Sequence, residues 1–298
     1  MYWFKNLMAY RLTQQIDFSK LEAALQECRY TPCNATDMSK FGWVAPLSTS
    51  EQLYFEVNGQ ILLISCKEEK NLPAAVIRKE TEQRIAELEE KEQRKLKKTE
   101  KQAVKDQVVS SLLPRAFSKY QFTALWIDTR RGFIYVDSNS AKRAEDTLAL
   151  LRKSLGSLPV VSLAYQNNPT QIMTSWLVQD SPNWLTILED GKLKRFDTDS
   201  IAILKRQDLS GEEVMTFLQS GAFAVNLSLE WEENLSFTLS EDGTLSKLKF
   251  ADEIREKNDD ILQEDVAQRC DADFLLMTTT ISHLMENLAD EFGGVRGK

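Results

Sequence analysis

Histidine is nearly absent: the chain of 298 residues has one, His283. That excludes HExxH sites, multi-histidine zinc sites and zinc-finger spacings, all of which need more than one. A histidine-dependent triad would have to use His283. It lies among Ile281, Leu284, Met285 and Leu288, where a helix-surface or core-edge histidine is the ordinary outcome. Cysteine is sparse too. Cys28, Cys33, Cys66 and Cys270 form no CxxC pair and no repeated spacing, the pattern of buried thiols in a reduced, cytoplasmic chain. Glycine and proline number 11 and 7, too few for collagen-like or linker-like segments. No run of about 18 apolar residues occurs, so no transmembrane helix and no membrane partner are expected. Met1–Leu12 lacks an apolar stretch followed by a small-residue cleavage site, so it does not read as a secretory signal. No GxxxxGK[ST] or GxGxxG loop is present. The expectation is a non-catalytic chain with no cofactor and no metal.

What is present is an ordinary globular balance, 42% hydrophobic and 28% charged. Residues 2–12 alternate as a strand does. Asp17 or Ser19 is placed to cap a helix over about 19–28. Short strands are expected at Gly42–Val44 and Leu53–Glu56, then a buried one at Ile61–Cys66 after the Asn58-Gly59 turn. Pro73 stands where a helix begins. From there to Leu113 neither Gly nor Pro interrupts a run of strong helix formers. This is one long helix, or two joined by a kink near Thr99. Strands at 122–128 and 132–137 follow, then a helix over 140–155 stopped by Gly156, and a strand at Leu158–Leu163. Strand-like pieces occur at Met173–Val178 and Trp184–Leu188. A helix over 210–220 has Ser210 as its cap and Glu213 at the capping-box position. Strands are expected at Ala224–Trp231, Leu235–Leu239 and Leu245–Phe250. The chain ends in two helices, about 252–269 and 273–290. The class is α+β, with mixed antiparallel sheets and a long charged helix or helical hairpin. Residues 1-72 and 120-164 are expected to form a central α/β region, 73-119 a helical arm, 165-250 a smaller α+β domain, and 251-298 C-terminal helices packed on the core.

Net charge is −8, yet residues 91–105 hold seven bases against two acids. Charge is therefore segregated. Lys91, Arg94, Lys98, Lys101 and Lys105 are spaced 3, 4, 3 and 4 apart, which puts them on one face of a continuous helix. Such a stripe runs about 21 Å at ~1.5 Å per residue and matches a duplex that offers one charge per about 1.7 Å. The competing reading is a solvated face. Glu87–Lys91 and Glu90–Arg94 are spaced as i,i+4 ion pairs, and residues 80–92 carry six glutamates. A scaffold helix that pairs with another protein's helix fits the same charges.

Other features are weaker. Lys142-Arg143, Arg152-Lys153, Lys192/Lys194/Arg195 and Lys205-Arg206-Gln207 are short basic sites, the last in an expected turn. Asp259, Asp260, Glu264, Asp265, Asp271 and Asp273 would suit a metal nuclease only if they converged within about 4 Å of shared ions. They fall instead on an amphipathic helix with Ile254, Ile261, Leu262 and Val266 on its apolar side, so a solvated acidic face is the better reading. Aromatics do not interleave with the basic run, and no recognition helix or RNP signature appears, so neither base stacking nor base readout is indicated. Phe117, in SLLPRAFSKY beside Arg115, either plugs into a partner subunit or tucks under its own loop.

The strings WFKNLMAYRL (3–12), NGQ (58–60), KEEKNLP (67–73), RKLKKTEK (94–101), SLLPRAFS (111–118), AEDTLALLRKSLGSLPVV (144–161), KRQDLS (205–210) and QRCDADFLLMT (268–278) closely resemble the RdgC family of recombination-associated proteins from end to end. Region 165–200 matches least. The resemblance implies a non-enzymatic, nucleoid-associated protein that binds double-stranded DNA without marked sequence preference and opposes RecA-promoted strand exchange. It implies a horseshoe-shaped protomer closing into a homodimeric ring. By position, Arg94, Lys95, Lys97, Lys98 and Lys101, with Lys205, Arg206 and Gln207, would line the hole. Arg115 and Phe117 would sit at a ring-closing contact.

Overall fold

The structure, a computed structural model, describes residues 2–198, 200–259, 261 and 266–297. Among the described residues the chain is mixed α/β, with eight helices and one large antiparallel sheet of twelve strands. The first strands are β1 (Asn6–Leu12), β2 (Ser39–Val44), β3 (Tyr54–Val57), β4 (Gln60–Asn71), β5 (Phe117–Asp128), β6 (Phe133–Val136) and β7 (Val160–Ser162). They are followed by β8 (Leu185–Arg195), β9 (Ile201–Leu204), β10 (Ala222–Trp231), β11 (Leu235–Ser240) and β12 (Leu245–Phe250). The order across the sheet is β2-β4-β5-β6-β1-β12-β11-β10-β8-β9, with β3 on β4 and β7 on β1. Strand β1 joins the halves: Asn6 and Leu7 pair with β12, while Met8–Arg11 pair with β6.

The inner parts of β4 and β5, Ile61–Cys66 and Thr123–Ile127, are mostly apolar because both of their faces are covered. Leu62, Ile64, Ala124 and Trp126 enter the larger core. Their neighbours Ile61, Leu63, Leu125 and Ile127 enter a second core on the opposite face, as the two-residue period of a strand requires. That second core is closed by Leu21 and Leu25 of α1 (Leu21–Gln26) and by Ala144, Leu148 and Leu151 of α4 (Ala141–Leu155). The larger core is closed by α8 (Val266–Glu291), whose Phe274, Met277, Ile281, Leu284 and Leu288 recur every three or four residues and are all buried. His283 points off the exposed side of this helix. No helix of the described residues is long and apolar enough to cross a membrane.

Several expectations fail for physical reasons. Met173–Val178 is not a strand but part of α5 (Pro169–Val178). Pro169 opens it, and the Asn168 side chain accepts the Thr170 N–H at 2.9 Å, a cap that outweighs the β-branched residues within. Helix α6 (Glu212–Gln219) is capped by Gly211, because the Ser210 hydroxyl is turned to Asp208 at 2.7 Å. Past α7 (Asp252–Arg255) there is no boundary near 270: α8 runs 26 residues unbroken. The rest of the expected 252–269 helix falls partly on Asp260 and Leu262–Asp265, which lie outside the described residues.

The run from Pro73 to Leu113 is two helices, α2 (Ala74–Glu92) and α3 (Lys98–Leu112). They fold back on each other around Leu96, Val104 and Val108, with Ile85, Leu88 and Leu112 against them. A straight helix turns about 100° per residue, so Ile85 and Leu112 would face about 180° apart on it. Only a hairpin buries both together. This small core shares no residue with the other two.

Candidate nucleic-acid interface

The helical hairpin is an arm mounted on a ribbon. Strands β4 and β5 pair along their whole length, from Gln60↔Asp128 to Asn71↔Phe117. Strand β6 covers β5 only over Leu125–Asp128, so the far end of the ribbon runs on toward the arm. A 3-10 turn over Leu113–Arg115, opened by Pro114, returns the chain from α3 to β5. Glu68 anchors the ribbon. It is buried, and its carboxylate accepts the Ser118 hydroxyl at 2.5 Å, the Tyr30 hydroxyl at 2.6 Å and the Cys33 N–H at 2.7 Å. These donors, Ser118 foremost, hold its carboxyl down at about 2.

The turn between α2 and α3 carries the basic residues. Gln93 ends α2 in the left-handed region (φ 53). Two glutamates then organise Arg94–Lys97. Glu89 accepts the Leu96 N–H at 3.0 Å and pairs with Lys95 at 2.8 Å and Lys101 at 3.3 Å. Glu100 accepts the Lys97 N–H at 2.7 Å and takes Arg94 in a two-pronged pair at 2.9 and 2.7 Å. Arg94 also reaches Glu92 at 2.7 Å. Lys95 above all holds Glu89 at about 2, and Arg94 above all holds Glu100 at about 2. The Arg94 guanidinium is stabilised as a cation in return, chiefly by Glu100.

One continuous stripe from Lys91 to Lys105 therefore does not exist. Lys91 lies in the last turn of α2, Arg94 and Lys95 lie in the inter-helix turn, and Lys97 caps α3. Only Lys98, Lys101 and Lys105 keep helical spacing on one element. The Glu90–Arg94 ion pair does not form, because Arg94 has left the helix, and Glu87 accepts from Gln83 instead. The fold still brings Arg94, Lys95, Lys97, Lys98 and Lys101 together at one turn. Lys91, Lys97, Lys98 and Lys105 are exposed and form no ion pair among the described residues.

Lys205, Arg206 and Gln207 are elsewhere, after the terminal strand β9, with six strands between β5 and β9 in the sheet. Arg206 takes a left-handed conformation (φ 51), its N–H donating to Asp190 at 3.0 Å, and the Gln207 N–H donates to the Glu189 carbonyl at 3.1 Å. Lys205 and Arg206 are exposed and Gln207 is half-buried. Arg115 and Phe117 lie at the root of the arm. Phe117 is 86% exposed, which overturns the reading that tucks it under its own loop. Tyr120 and Phe122 on the same strand are also more than half exposed. The basic run at 91–105 does not mark them, because they lie beyond it on β5.

Among the described residues, the carboxylates considered for metal chemistry do not gather at one site. Asp259 pairs with Arg269, and Asp273 accepts from Asn258 at 2.9 Å. Asp260, Glu264 and Asp265 lie outside the described residues. Among the described residues no group of three or more His, Cys, Asp or Glu is placed to hold a metal ion.

Residues 2–295 match the family model described as "Putative exonuclease, RdgC". Curated relatives named Recombination-associated protein RdgC align over nearly the whole chain. That of Mannheimia succiniciproducens is 59% identical over 301 residues, covering all of both chains. That of Actinobacillus pleuropneumoniae serotype 3 is 58% identical over 299 residues, covering 99% of each. That of Haemophilus influenzae strain Rd is 57% identical over 300 residues, again 99% of each.

Proposed function

The chain belongs to the RdgC family of recombination-associated proteins, and from that membership we propose that it binds double-stranded DNA through backbone contacts, without reading sequence. The observation that carries the proposal is the arm's turn. Lys97 and Lys98, with Lys91 and Lys105 nearby, present exposed cations that form no ion pair among the described residues. A chain of net charge −8 that concentrates unpaired lysines on one projecting turn favours a polyanion there and repels it elsewhere. Lysine suits this role because it is a point charge that meets phosphate without demanding a base edge.

In this reading the protomer is a horseshoe that closes with a second copy into a ring around duplex DNA. Phe117, with Arg115, makes a ring-closing contact, which gives an 86% exposed phenylalanine a partner pocket. Lys205, Arg206 and Gln207 line the hole with the arm's turn. A ring that occupies duplex modulates recombination by denying DNA to RecA, and it acts in the cytoplasm on the nucleoid. Encirclement slows escape, so modest contacts suffice.

The family description also names an exonuclease. Our reading is non-enzymatic, and the pairing of Asp259 with Arg269 and of Asp273 with Asn258 supports it, since these carboxylates are engaged with protein donors. End-labelled duplex incubated with the chain and Mg²⁺ or Mn²⁺ should keep its length, and metal-dependent shortening would overturn this part. The scaffold alternative needs an apolar stripe for a partner helix, whereas the arm turns Leu96, Val104 and Val108 inward. Titrating random duplex across a salt series separates the two. Log K should fall with log salt by about 0.9 per phosphate neutralised. Absence of affinity at about 0.1 M salt would favour the scaffold.

A further inference from the structure

The carboxylates at the arm's turn do two things at once. Glu89 and Glu100 each accept a main-chain N–H of the inter-helix segment, from Leu96 and Lys97. Each also holds cations: Lys95 and Lys101 on Glu89, Arg94 on Glu100. Glu89 reaches seven residues forward to do so, and its side chain is only 12% exposed. Three of the five basic residues at the turn thus already have an anionic partner, in the geometry a phosphate oxygen would otherwise take. A two-pronged carboxylate on Arg94 is a close chemical stand-in for a phosphate.

We propose that Glu89 and Glu100 form a carboxylate clamp that competes with DNA phosphate for Arg94, Lys95 and Lys101, and so limits how tightly the arm holds the duplex. The proposal rests on the duplex-binding reading above. Lys97, Lys98 and Lys105, which form no ion pair among the described residues, make the first phosphate contacts. Each further contact exchanges one charge-assisted bond for another, with little net gain. The clamp also occupies the N–H of Lys97, the N-cap of α3, at a helix end where a phosphate would otherwise be favoured. Binding that stays weak per contact keeps a backbone-binding protein mobile along DNA.

The test uses the full chain with the double variant Glu89→Gln and Glu100→Gln. A glutamine carbonyl still accepts the Leu96 and Lys97 N–H groups, so the turn keeps its hydrogen bonds while the competing charge is gone. The control is Glu80→Gln with Glu82→Gln, which changes net charge equally but sits about two turns before Glu89 on α2. Binding is read by fluorescence anisotropy with random duplex across a salt series. The clamp variant should bind on the order of ten-fold tighter than the control at about 0.1 M salt. Its slope of log K against log salt should steepen by about 1 to 2, as newly engaged cations release counterions. Trypsin should also cut faster after Arg94 and Lys95 in the clamp variant without DNA. Equal affinity and slope for the two double variants would overturn the clamp. Weaker binding by the clamp variant would overturn it too, since the glutamates would then be supports and not competitors. If the unmodified chain binds no random duplex at any salt, the duplex-binding reading itself fails. If it binds while the double variants do not differ, only the clamp fails.

Discussion

Replacing Leu96 by alanine isolates the arm from the rest of the fold. Leu96 sits between α2 and α3 and is 8% exposed, packed with Val104 and Val108 and against Ile85, Leu88 and Leu112. A buried Leu→Ala change costs about 2–5 kcal/mol, the spread depending on how far the site collapses. This core is small and near solvent, so the low end applies, about 2–3 kcal/mol. The arm shares no core residue with the sheet, and α2 buries no residue of its own. The loss should therefore fall on local opening of the arm and leave the global transition nearly intact. At about 1.4 kcal/mol per factor of ten, amide protection in α2 and α3 should drop roughly 30- to 150-fold. Amides of β4–β6 should keep their protection. Hydrogen exchange read segment by segment by mass spectrometry checks both. Equal losses in arm and sheet would refute an arm with its own cooperative core. Unchanged arm protection would refute Leu96 as the residue that closes the hairpin.

Three further outcomes are expected. Glu68 is held below its ordinary value of 4.5, at about 2, first by the Ser118 hydroxyl. A depressed carboxyl stabilises the fold above its unfolded value and loses that contribution as pH falls. The stability gap between the unmodified chain and Glu68→Gln, read from urea midpoints, should thus narrow from about pH 4.5 down to about 2, and a constant gap would refute the assignment. Gly42→Ala would put a Cβ at 2.5 Å from the Tyr30 nitrogen and 2.7 Å from the Cys28 carbonyl oxygen. Backbone cannot yield there cheaply, so a loss of about 1–3 kcal/mol or more in thermal unfolding is expected, and an unchanged melting temperature would contradict the close approach. Phe117→Ala should shift the chain toward monomer in sedimentation while leaving the melting temperature of the protomer nearly unchanged, because the ring is 86% exposed. An unaltered assembly would remove Phe117 from the proposed contact.

Most of the sheet is legible in the sequence because period and punctuation agree. Ile61–Cys66 and the β5 run reveal strands buried on both faces, and Asn58-Gly59 marks a turn whose glycine takes φ 74. Helix α4 ends at Gly156 as expected. Met173–Val178 misleads because Thr174, Trp176 and Val178 are strand-favouring types, although Asn168-Pro169 is a helix-start signal. The α2–α3 break has no glycine or proline to announce it. Its cause is tertiary, the need to bury Ile85 and Leu112 on one side. The basic cluster is legible as composition, but its pairing is not. Rules for i,i+4 neighbours assign Arg94 to Glu90, whereas the turn delivers it to Glu100. The reach of Glu89 to Lys95 and Leu96 belongs to no helical spacing.

The most direct test is charge reversal at lysines that form no ion pair among the described residues: Lys97→Glu, Lys98→Glu and Lys105→Glu together in the full chain, with random duplex across a salt series. None of the three supports the arm's core or its clamp through a side-chain ion pair, so amide protection of the arm should hold. Affinity at about 0.1 M salt should fall at least 100-fold, and the slope of log K against log salt should flatten by about 2.7, for three phosphates at about 0.9 each. Unchanged affinity and slope in an intact arm would contradict the assignment of this turn to DNA.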